Sequence, residues 1–300
     1  MDKRIRGMLI GMSDSPIDVR TRAIALALTD RIGWVLLHRL LERFGTLEAV
    51  FGATAEELQS VRGIGNQIAA NVKALDLGRI ATHQQRWEAQ GITVALWDEP
   101  TYPDVLRQLT DKPLALFSKG ALCAPDVRAI AIVGTRQPHP ESLQVAYTWA
   151  AELARQGWTV VSGLARGIDT AAHQGTLAAA GHTLAVLGSG VNVIYPPENA
   201  PLASQIAGNG ALISEAHPDA NPSTTALMRR NRLITALSRA TIVVEAPVDS
   251  GALHAARSAH ALGRPVFAID NSVGNAMLLH NFARPLPTSA ATLMEMIGKL

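Results

Sequence analysis

The stretch TVVSGLARGID, residues 159–169, decides the fold class of the chain. It begins with a short apolar run and passes through a loop that contains Gly163 and Gly167. Residues 168–180 follow, and their apolar spacing predicts a helix. A strand that leads through a glycine-rich turn into a helix is the repeating half of a β-α-β unit, so this stretch predicts a sheet with helical crossovers.

The same alternation recurs from residue 127 onward. Strands are predicted at 129–133, 159–162, 183–187, 211–214, 241–245 and 265–269, and helices near 141–156, 168–180, 198–208, 226–238 and 251–262. Continuous apolar strands separated by helices are typical of a parallel sheet that is covered on both faces. The fold class is therefore predicted to be α/β, with a doubly wound, mostly parallel sheet.

The N-terminal part of the chain has a different pattern. Residues 20–75 predict short helices at 23–28, at 32–41 and from Thr54, where Glu57 three residues later has capping-box spacing. The segment VRGIGNQIA, residues 61–69, resembles a helix-hairpin-helix, whose turn amides can hold a DNA phosphate. Plain packing is favoured over DNA contact, because no lysine or arginine follows this turn until Lys73.

Composition limits the class of protein. Hydrophobic residues make up 48% of the 300-residue chain and charged residues 17%, which is typical of a folded chain with a sizeable core. The single cysteine, Cys123, and the nine histidines show no metal-ligand spacing, so neither a metal nor a cofactor is expected. No membrane-length apolar run and no cleavable signal pattern occur, which predicts a soluble, cytoplasmic protein. The net charge of +2 neither requires nor excludes a nucleic-acid partner.

The loops after the predicted strands carry the candidate chemistry. The carboxyl ends of parallel strands meet at one edge of a sheet, where ligands bind. Glycines in these loops let backbone amides approach an anion, and each following helix directs its positive end to the same edge. Arg136 and Arg166 add full charges there, so a phosphate or phosphodiester is the predicted ligand. Neither GxGxxG nor GxxxxGK[ST] occurs, which disfavours the common dinucleotide and P-loop sites.

Several motifs in order resemble one known family. They are GTR at 134–136, SGLARGIDTAAH at 162–173, AVLGSG at 185–190 with YPPEN at 195–199, RRNR at 229–232 with Leu237-Ser238, and VVEA at 243–246 with Ser250-Gly251. This set is similar to the signature of the DprA/Smf (DNA-processing protein A) family. The resemblance implies an extended Rossmann-like fold, a homodimer, single-stranded DNA binding, and delivery of that DNA to a RecA-type recombinase in natural transformation.

The resemblance also indicates site residues. Arg136 stands in the DNA-gripping turn of the family, and Arg166 stands where the family has a second basic residue. The residues expected to bind DNA or phosphate are Gly134, Thr135, Arg136, Ser162, Gly163, Arg166, Gly167, Arg229, Arg230, Asn231, Arg232, Ser250 and Gly251. Asp169 and His173 are expected to order the loop or cap the helix rather than perform acid–base chemistry.

The chain departs from the family pattern in three places. Segment 270–275, DNSVGN, is short and lacks a proline-glycine turn, and segment 217–222, HPDANP, is not a close match. The chain is also expected to lack the winged-helix domain that some members append. The predicted organisation is an N-terminal SAM- or helix-hairpin-helix-like helical domain over 1–78, a connector over 79–125, a Rossmann-like DNA-binding domain over 126–285 and a C-terminal tail over 286–300.

Two other functions compete with DNA binding. One is a sensor or enzyme that binds a free nucleotide or nucleotide-derived ligand in the same cradle, since both kinds of ligand present phosphates. The other is a phosphoribohydrolase of the related LOG group, whose PGGxGTxxE motif corresponds here to residues 247–255, with Ala255 in place of the acid. Ser162 is a poor candidate nucleophile because it would need a nearby base. The chain is therefore expected not to be an enzyme.

Overall fold

The computed structural model describes residues 18–122 and 128–298. Residues 1–17 and Cys123 lie outside this range, and so do the expectations that concern them. The chain divides into two compact units, Met1–Leu116 and Phe117–Leu300. The boundary between them falls inside segment 79–125, which the sequence predicts as a connector.

The first unit is mainly helical in its described part. Its helices are α1 (Val19–Ala27), α2 (Trp34–Phe44), α3 (Leu47–Gly52), α4 (Ala55–Gln59), α5 (Asn66–Lys73) and α6 (Leu77–Ala89), followed by the strand β1 (Ile92–Leu96) and the short helix α7 (Asp104–Arg107). The predicted capping box is confirmed at the start of α4. The Thr54 hydroxyl accepts from the Glu57 amide at 3.2 Å, and the Glu57 carboxylate accepts from the Thr54 amide at 2.7 Å.

The turn between α4 and α5 is built around Gly63. This residue has φ +98°, in the left-handed region that favours glycine, and a Cβ here would lie 2.9 Å from a Leu36 methyl carbon. Lys73, the first basic residue after the turn, donates to the carbonyls of Phe51 and Ala53 at 3.0 and 2.8 Å. Its ammonium therefore stabilises the end of α3, which favours the packing interpretation of this hairpin.

The second unit contains the predicted sheet. Its strands are β2 (Ala115–Gly120, which begins in the last residues of the first unit), β3 (Ala129–Val133), β4 (Thr159–Ser162), β5 (Thr183–Val186), β6 (Gly210–Ser214), β7 (Ala240–Val243), β8 (Val266–Ala268) and β9 (Arg284–Pro285). Their order is β2-β6-β5-β4-β3-β7-β8-β9. β2 is antiparallel to β6, and the other pairs are parallel. The predicted doubly wound, mostly parallel sheet is confirmed.

The helices of the second unit cover this sheet. They are α8 (Pro140–Arg155), α9 (Ile168–Ala178), the 3-10 turn Pro197–Asn199, α10 (Ala200–Asn209), α11 (Thr224–Arg229), α12 (Asn231–Ala236), α13 (Gly251–Ala261), α14 (Val273–Asn281) and α15 (Ala290–Gly298). The single helix predicted near 226–238 is thus two short helices. The expectation of a tail over 286–300 is wrong, because α15 buries Ala290, Leu293 and Ile297 in the main core cluster.

The strand order fixes where a ligand can bind. The chain runs from β3 outward to β6 and then crosses to β7 on the other side of β3. The carboxyl ends of β3 and β7 therefore form the topological switch point, where doubly wound sheets have their ligand crevice. Here Val133 is in register with Val243, and the Thr135 amide donates to the Glu245 carbonyl at 2.8 Å. The loop after β3 begins at this switch point.

Candidate functional site

Two glycines allow the loops after β3 and β4 to meet. A Cβ on Gly134 would lie 2.4 Å from an Ile168 side-chain carbon, so the loop presses directly on the start of α9. Gly167 has φ +75°, and a Cβ there would lie 2.5 Å from the Thr135 carbonyl oxygen. Both glycines serve the close packing of two loops, and this packing fixes the backbone that carries Arg136.

Arg136 lines a small cleft of about 20 Å³ and is exposed at its edge. The cleft is lined by Arg136, Gly163, Ala165, Arg166, Tyr195, Pro196, Leu227 and Arg230. The structure thus brings together four of the sequence-predicted residues: Arg136, Gly163, Arg166 and Arg230. Tyr195, Pro196 and Leu227 were not among the predicted contacts, although the YPPEN motif contains the first two.

The Arg136 side chain is exposed and has no hydrogen bond or ion pair to another described residue. The carboxylates that could have neutralised it have other partners. Glu215 accepts from Arg232 at 2.6 Å and lies 3.3 Å from Arg229, and Glu245 lies 2.9 Å from His139 Nδ1. Arg136 is therefore available to an anion from solvent.

Arg230 has a different role from the one the sequence predicts. Its side chain is buried, with 4% of the residue exposed, and its guanidinium donates to the carbonyls of Gly163 and Val186. Nε donates to Asn231 Oδ1 at 3.0 Å, and Nη2 lies 3.8 Å from Asp169 Oδ2. Arg230 lines the cleft, but its guanidinium is buried and already donates to three protein acceptors, so its main role is to support the cleft from within.

Asp169 completes this support. Its carboxylate accepts from the amides of Gly163 and Ala165 at 3.1 and 3.3 Å. Burial raises the pKa of the Asp169 carboxyl, and the positive charge of Arg230 opposes that shift. Burial likewise lowers the pKa of Arg230, an effect that Asp169 opposes. The pair holds the loop after β4 in place, as the sequence led us to expect for Asp169.

Gly163 shows why the loop after β4 requires a residue without a side chain. A Cβ at this position would lie 2.1 Å from the Arg230 guanidinium atoms. Ser162 beside it is fully buried, and its hydroxyl donates to the Ile132 carbonyl at 2.7 Å. The expected phosphate contact by Ser162 is therefore contradicted, since this hydroxyl joins β4 to β3 and does not reach solvent.

Arg166 is exposed and forms an ion pair with Glu198 across the cleft mouth. The Arg166 and Glu198 side chains are 60% and 50% exposed. An ion pair this open to solvent contributes little to stability. The bond to Glu198 raises the pKa of Arg166 and lowers that of Glu198. An anionic ligand would have to compete with Glu198 for this guanidinium.

The other predicted residues with side-chain contacts in the structure do not line the cleft. Arg229 and Arg232 share Glu215 as their partner. Asn231 accepts from Arg230 and donates to the Gly251 carbonyl at 3.1 Å, and Ser250 caps α13 through the Leu253 amide at 3.4 Å. These side chains connect α12 to α13 and neutralise one carboxylate near the edge of the sheet.

His173, the base that a nucleophilic Ser162 would need, forms no hydrogen bond with it. His173 is fully buried and its Nδ1 lies 2.7 Å from the Thr183 hydroxyl, not from Ser162. Burial, with Arg230 nearby, lowers the pKa of His173 to about 3, so its ring is neutral at pH 7. Ala255 is buried in α13 with 1% exposure and offers no acid to a ligand.

Sequence reasoning missed two structural asparagines. Asn199 donates to the Leu164 carbonyl at 2.9 Å and to the Thr170 hydroxyl at 3.0 Å, which fixes the loop that carries Arg166. Asn275 is fully buried and donates to the Ile269 carbonyl at 2.8 Å and the Val244 carbonyl at 3.0 Å. The segment 270–275, which departs from the family pattern, thus anchors the carboxyl end of β7.

The described residues also bear on metal-binding groups and membrane-spanning helices. Over 18–122 and 128–298, no three histidine, cysteine, aspartate or glutamate side chains come together as a group that could hold a metal ion. None of the helices in the same ranges is long and apolar enough to cross a membrane.

Comparison with known proteins agrees with this architecture. A family described as DNA recombination-mediator protein A matches residues 93–297, and a helix-hairpin-helix motif matches residues 24–75. The chain is 36% identical over 283 residues to the protein Smf of Synechocystis sp., a match that covers 90% of this chain and 70% of the relative. It is 35% identical over 248 residues to the DNA processing protein DprA of Bacillus subtilis, covering 81% of this chain and 83% of the relative.

Two solved structures are similar as well. DNA processing protein A of Streptococcus pneumoniae superposes with a TM-score of 0.76 at 27% identity, over 95% of this chain and 98% of that one. DNA processing protein A of Helicobacter pylori, described for its single-stranded DNA binding mode, superposes with a TM-score of 0.62 at 30% identity, over 69% of this chain and 96% of that one. The chain therefore belongs to the DNA recombination-mediator protein A family, the DprA/Smf family that its motifs resemble.

Proposed function

We propose that this protein binds single-stranded DNA through its phosphate backbone, at the cleft whose mouth carries Arg136 and Arg166. The observation that carries the proposal is that the charge of Arg136 is not neutralised by a described residue. The side chain is exposed and without a partner among the described residues, while the neighbouring carboxylates Glu215 and Glu245 are engaged elsewhere. An unneutralised guanidinium on a loop whose backbone is held by close packing suits a phosphodiester oxygen.

Single strands are favoured over duplex because the cleft is narrow. Its volume of about 20 Å³ holds little more than a water molecule, so phosphates would bind at the exposed guanidinium groups of its rim. A flexible single strand can bend to reach these groups more readily than a stiff duplex. Backbone contact gives little dependence on base sequence. The single-stranded DNA binding for which the Helicobacter pylori relative is described supports the same choice.

Titration of the purified protein tests the proposal. Fluorescent single-stranded DNA, duplex DNA and free nucleotides are compared at two salt concentrations. We expect tightest binding to the single strand, with an affinity that falls as salt rises because each neutralised phosphate releases counterions. Equal or tighter binding of duplex would contradict the choice of ligand. Saturable nucleotide binding that displaces the strand would favour the competing sensor or nucleotide-enzyme function.

We further propose that the protein delivers the bound strand to a RecA-type recombinase in DNA uptake and natural transformation, and acts as a homodimer. The family description as a recombination mediator supports this role. Light scattering at micromolar concentration is expected to give twice the chain mass. Purified recombinase is expected to form filaments faster on strands bound by this protein, and an unchanged filament rate would refute the mediator role.

Catalysis forms no part of this proposal. Ala255 is buried and stands in place of a LOG-type acid, and the Ser162 hydroxyl donates to a backbone carbonyl, so neither residue is placed to support hydrolysis. Nucleoside monophosphates are therefore expected to survive incubation with the protein, and release of free base above a heat-inactivated control would overturn this expectation.

A further inference from the structure

A second, open groove begins at Arg136 and runs along the seam between α8 and α9. Its volume is about 500 Å³. The lining of this α8/α9 groove includes Arg136, Leu143, Gln144, Tyr147 and Gln174. Arg136 lines both this groove and the cleft described above, so the two adjoin at this residue.

We propose that the α8/α9 groove is a nucleobase subsite, in which the ring of Tyr147 stacks on one base of the strand whose phosphate Arg136 holds. The proposal rests on single-stranded DNA binding at the cleft and adds a base-contacting element to it. A strand held at Arg136 can continue to either side, and the α8/α9 groove is the extension on the α8 side.

The lining of the groove has the chemistry of a base site. Tyr147 and Leu143 are 37% and 38% exposed, large values for apolar side chains, and they give a flat apolar surface. Gln144 and Gln174 are exposed beside them and carry amides that can both donate and accept. A base needs these two features, since its faces stack on aromatic rings and its edges form hydrogen bonds.

The charge of the groove lining favours a nucleic acid as its ligand. Among the residues that line the groove there is no aspartate or glutamate, and the charged side chain is Arg136. A strand lying here would place its phosphate at Arg136 and its base beyond, on Tyr147. The apolar surface and the positive charge are thus arranged in the order in which a nucleotide presents them.

The backbone that carries Tyr147 is held in place before any ligand binds. α8 and α9 cross so closely that a Cβ on Gly175 would lie 2.1 Å from the Tyr147 carbonyl oxygen. This contact fixes the backbone of Tyr147, and a tyrosine side chain has only two rotatable bonds to order. Stacking on such a ring therefore costs little conformational entropy.

Substitution of Tyr147 tests the subsite. Tyr147→Ala is expected to weaken binding of a single-stranded oligonucleotide by roughly 5- to 100-fold, because stacking on one aromatic ring is lost. Tyr147→Phe should retain the affinity, since the ring remains. Neither substitution should change the salt dependence, since no phosphate contact is removed. Leu143→Ala should weaken binding less, and Leu262→Ala is its control, because Leu262 is equally exposed at 38% and does not line the groove.

An oligonucleotide with abasic sugars separates the subsite from backbone contact. Wild type and Tyr147→Ala are expected to bind it equally, because it offers no base to stack. If wild type binds normal single strands and Tyr147→Ala binds them equally well, the subsite is overturned while phosphate contact at Arg136 stands. Failure of the wild type to bind any single strand would overturn both proposals.

Discussion

Replacement of Arg230 by alanine should lower the free energy of unfolding of the protein rather than weaken DNA binding alone. Arg230 donates to the carbonyls of Gly163 and Val186 and lies 3.8 Å from the Asp169 carboxylate. Both members of the ion pair are buried, at 4% and 5% exposure. Truncation would leave a buried carboxylate without its cation and two carbonyls without their donor.

The expected magnitude follows from that loss. Removing one partner of a buried ion pair costs about 3–5 kcal/mol, because the remaining charge stays desolvated. The free energy of unfolding of Arg230→Ala should therefore fall by about that amount in urea denaturation, followed by near-UV circular dichroism. Arg136→Ala in the same cleft should change it by no more than about 0.5 kcal/mol, because that side chain is exposed and without a partner among the described residues.

A double variant tests the cause. Arg230→Met combined with Asp169→Asn removes both charges, and it should be more stable than the sum of the single effects by about 0.5–3 kcal/mol. The reasoning is refuted if Arg230→Ala changes the free energy of unfolding by less than 1 kcal/mol, on the order of one lost surface hydrogen bond, and weakens DNA binding as much as Arg136→Ala does. Arg230 would then be a contact residue and not a support.

Three further outcomes are expected. Glu198→Gln should release Arg166 from its ion pair and tighten single-stranded DNA binding at low salt, and a weaker affinity would mean that the pair itself shapes the cleft. Because burial lowers the pKa of His173 to about 3, against about 6.5 unfolded, the unfolded state binds more protons below pH 6.5. Stability should therefore fall by about 2 kcal/mol between pH 7 and pH 5 through this residue, and an unchanged pH dependence in His173→Asn would contradict that. Asn275→Ala should lower the free energy of unfolding by about 1–3 kcal/mol by removing the buried hydrogen bonds that its amide donates to the Val244 and Ile269 carbonyls, whereas a neutral effect in urea denaturation would show that water replaces the amide.

The sequence predicts the sheet well because its strands are buried on both faces. Strands such as Ala129–Val133 and Thr159–Ser162 are continuous apolar runs bounded by glycine or arginine loops, and their positions agree with the structure. The antiparallel strand Ala115–Gly120 was missed because Pro113 and the proline-rich segment before it indicate irregular structure. Helix α15 was missed because nothing at 286–289 resembles a strand-to-helix loop of the repeating kind.

The site is only partly predictable, because an arginine in a motif does not reveal which way it points. Arg229 and Arg230 are neighbours in sequence, yet one is exposed and the other is buried. Residues adjacent on a helix lie about 100° apart, so only one of the pair can face solvent fully. A signal was present in Gly163, since the absence of a side chain there makes room for the Arg230 guanidinium, but it depends on a contact between residues 67 positions apart.

The salt dependence of DNA binding by Arg136→Ala tests the central claim most directly. Affinity for a single-stranded oligonucleotide is measured over a series of salt concentrations for wild type, for Arg136→Ala and for Arg155→Ala. Arg155 is the control because it is also exposed and lies at the far end of α8, on the order of 20 Å along the helix.

Loss of one phosphate contact should weaken binding by about 1–3 kcal/mol and reduce the slope of log affinity against log salt by about 0.7, while Arg155→Ala and the melting temperatures stay unchanged. If instead Arg136→Ala lowers the melting temperature and leaves both the affinity and the slope of the folded protein unchanged, Arg136 stabilises the loops and does not hold the strand.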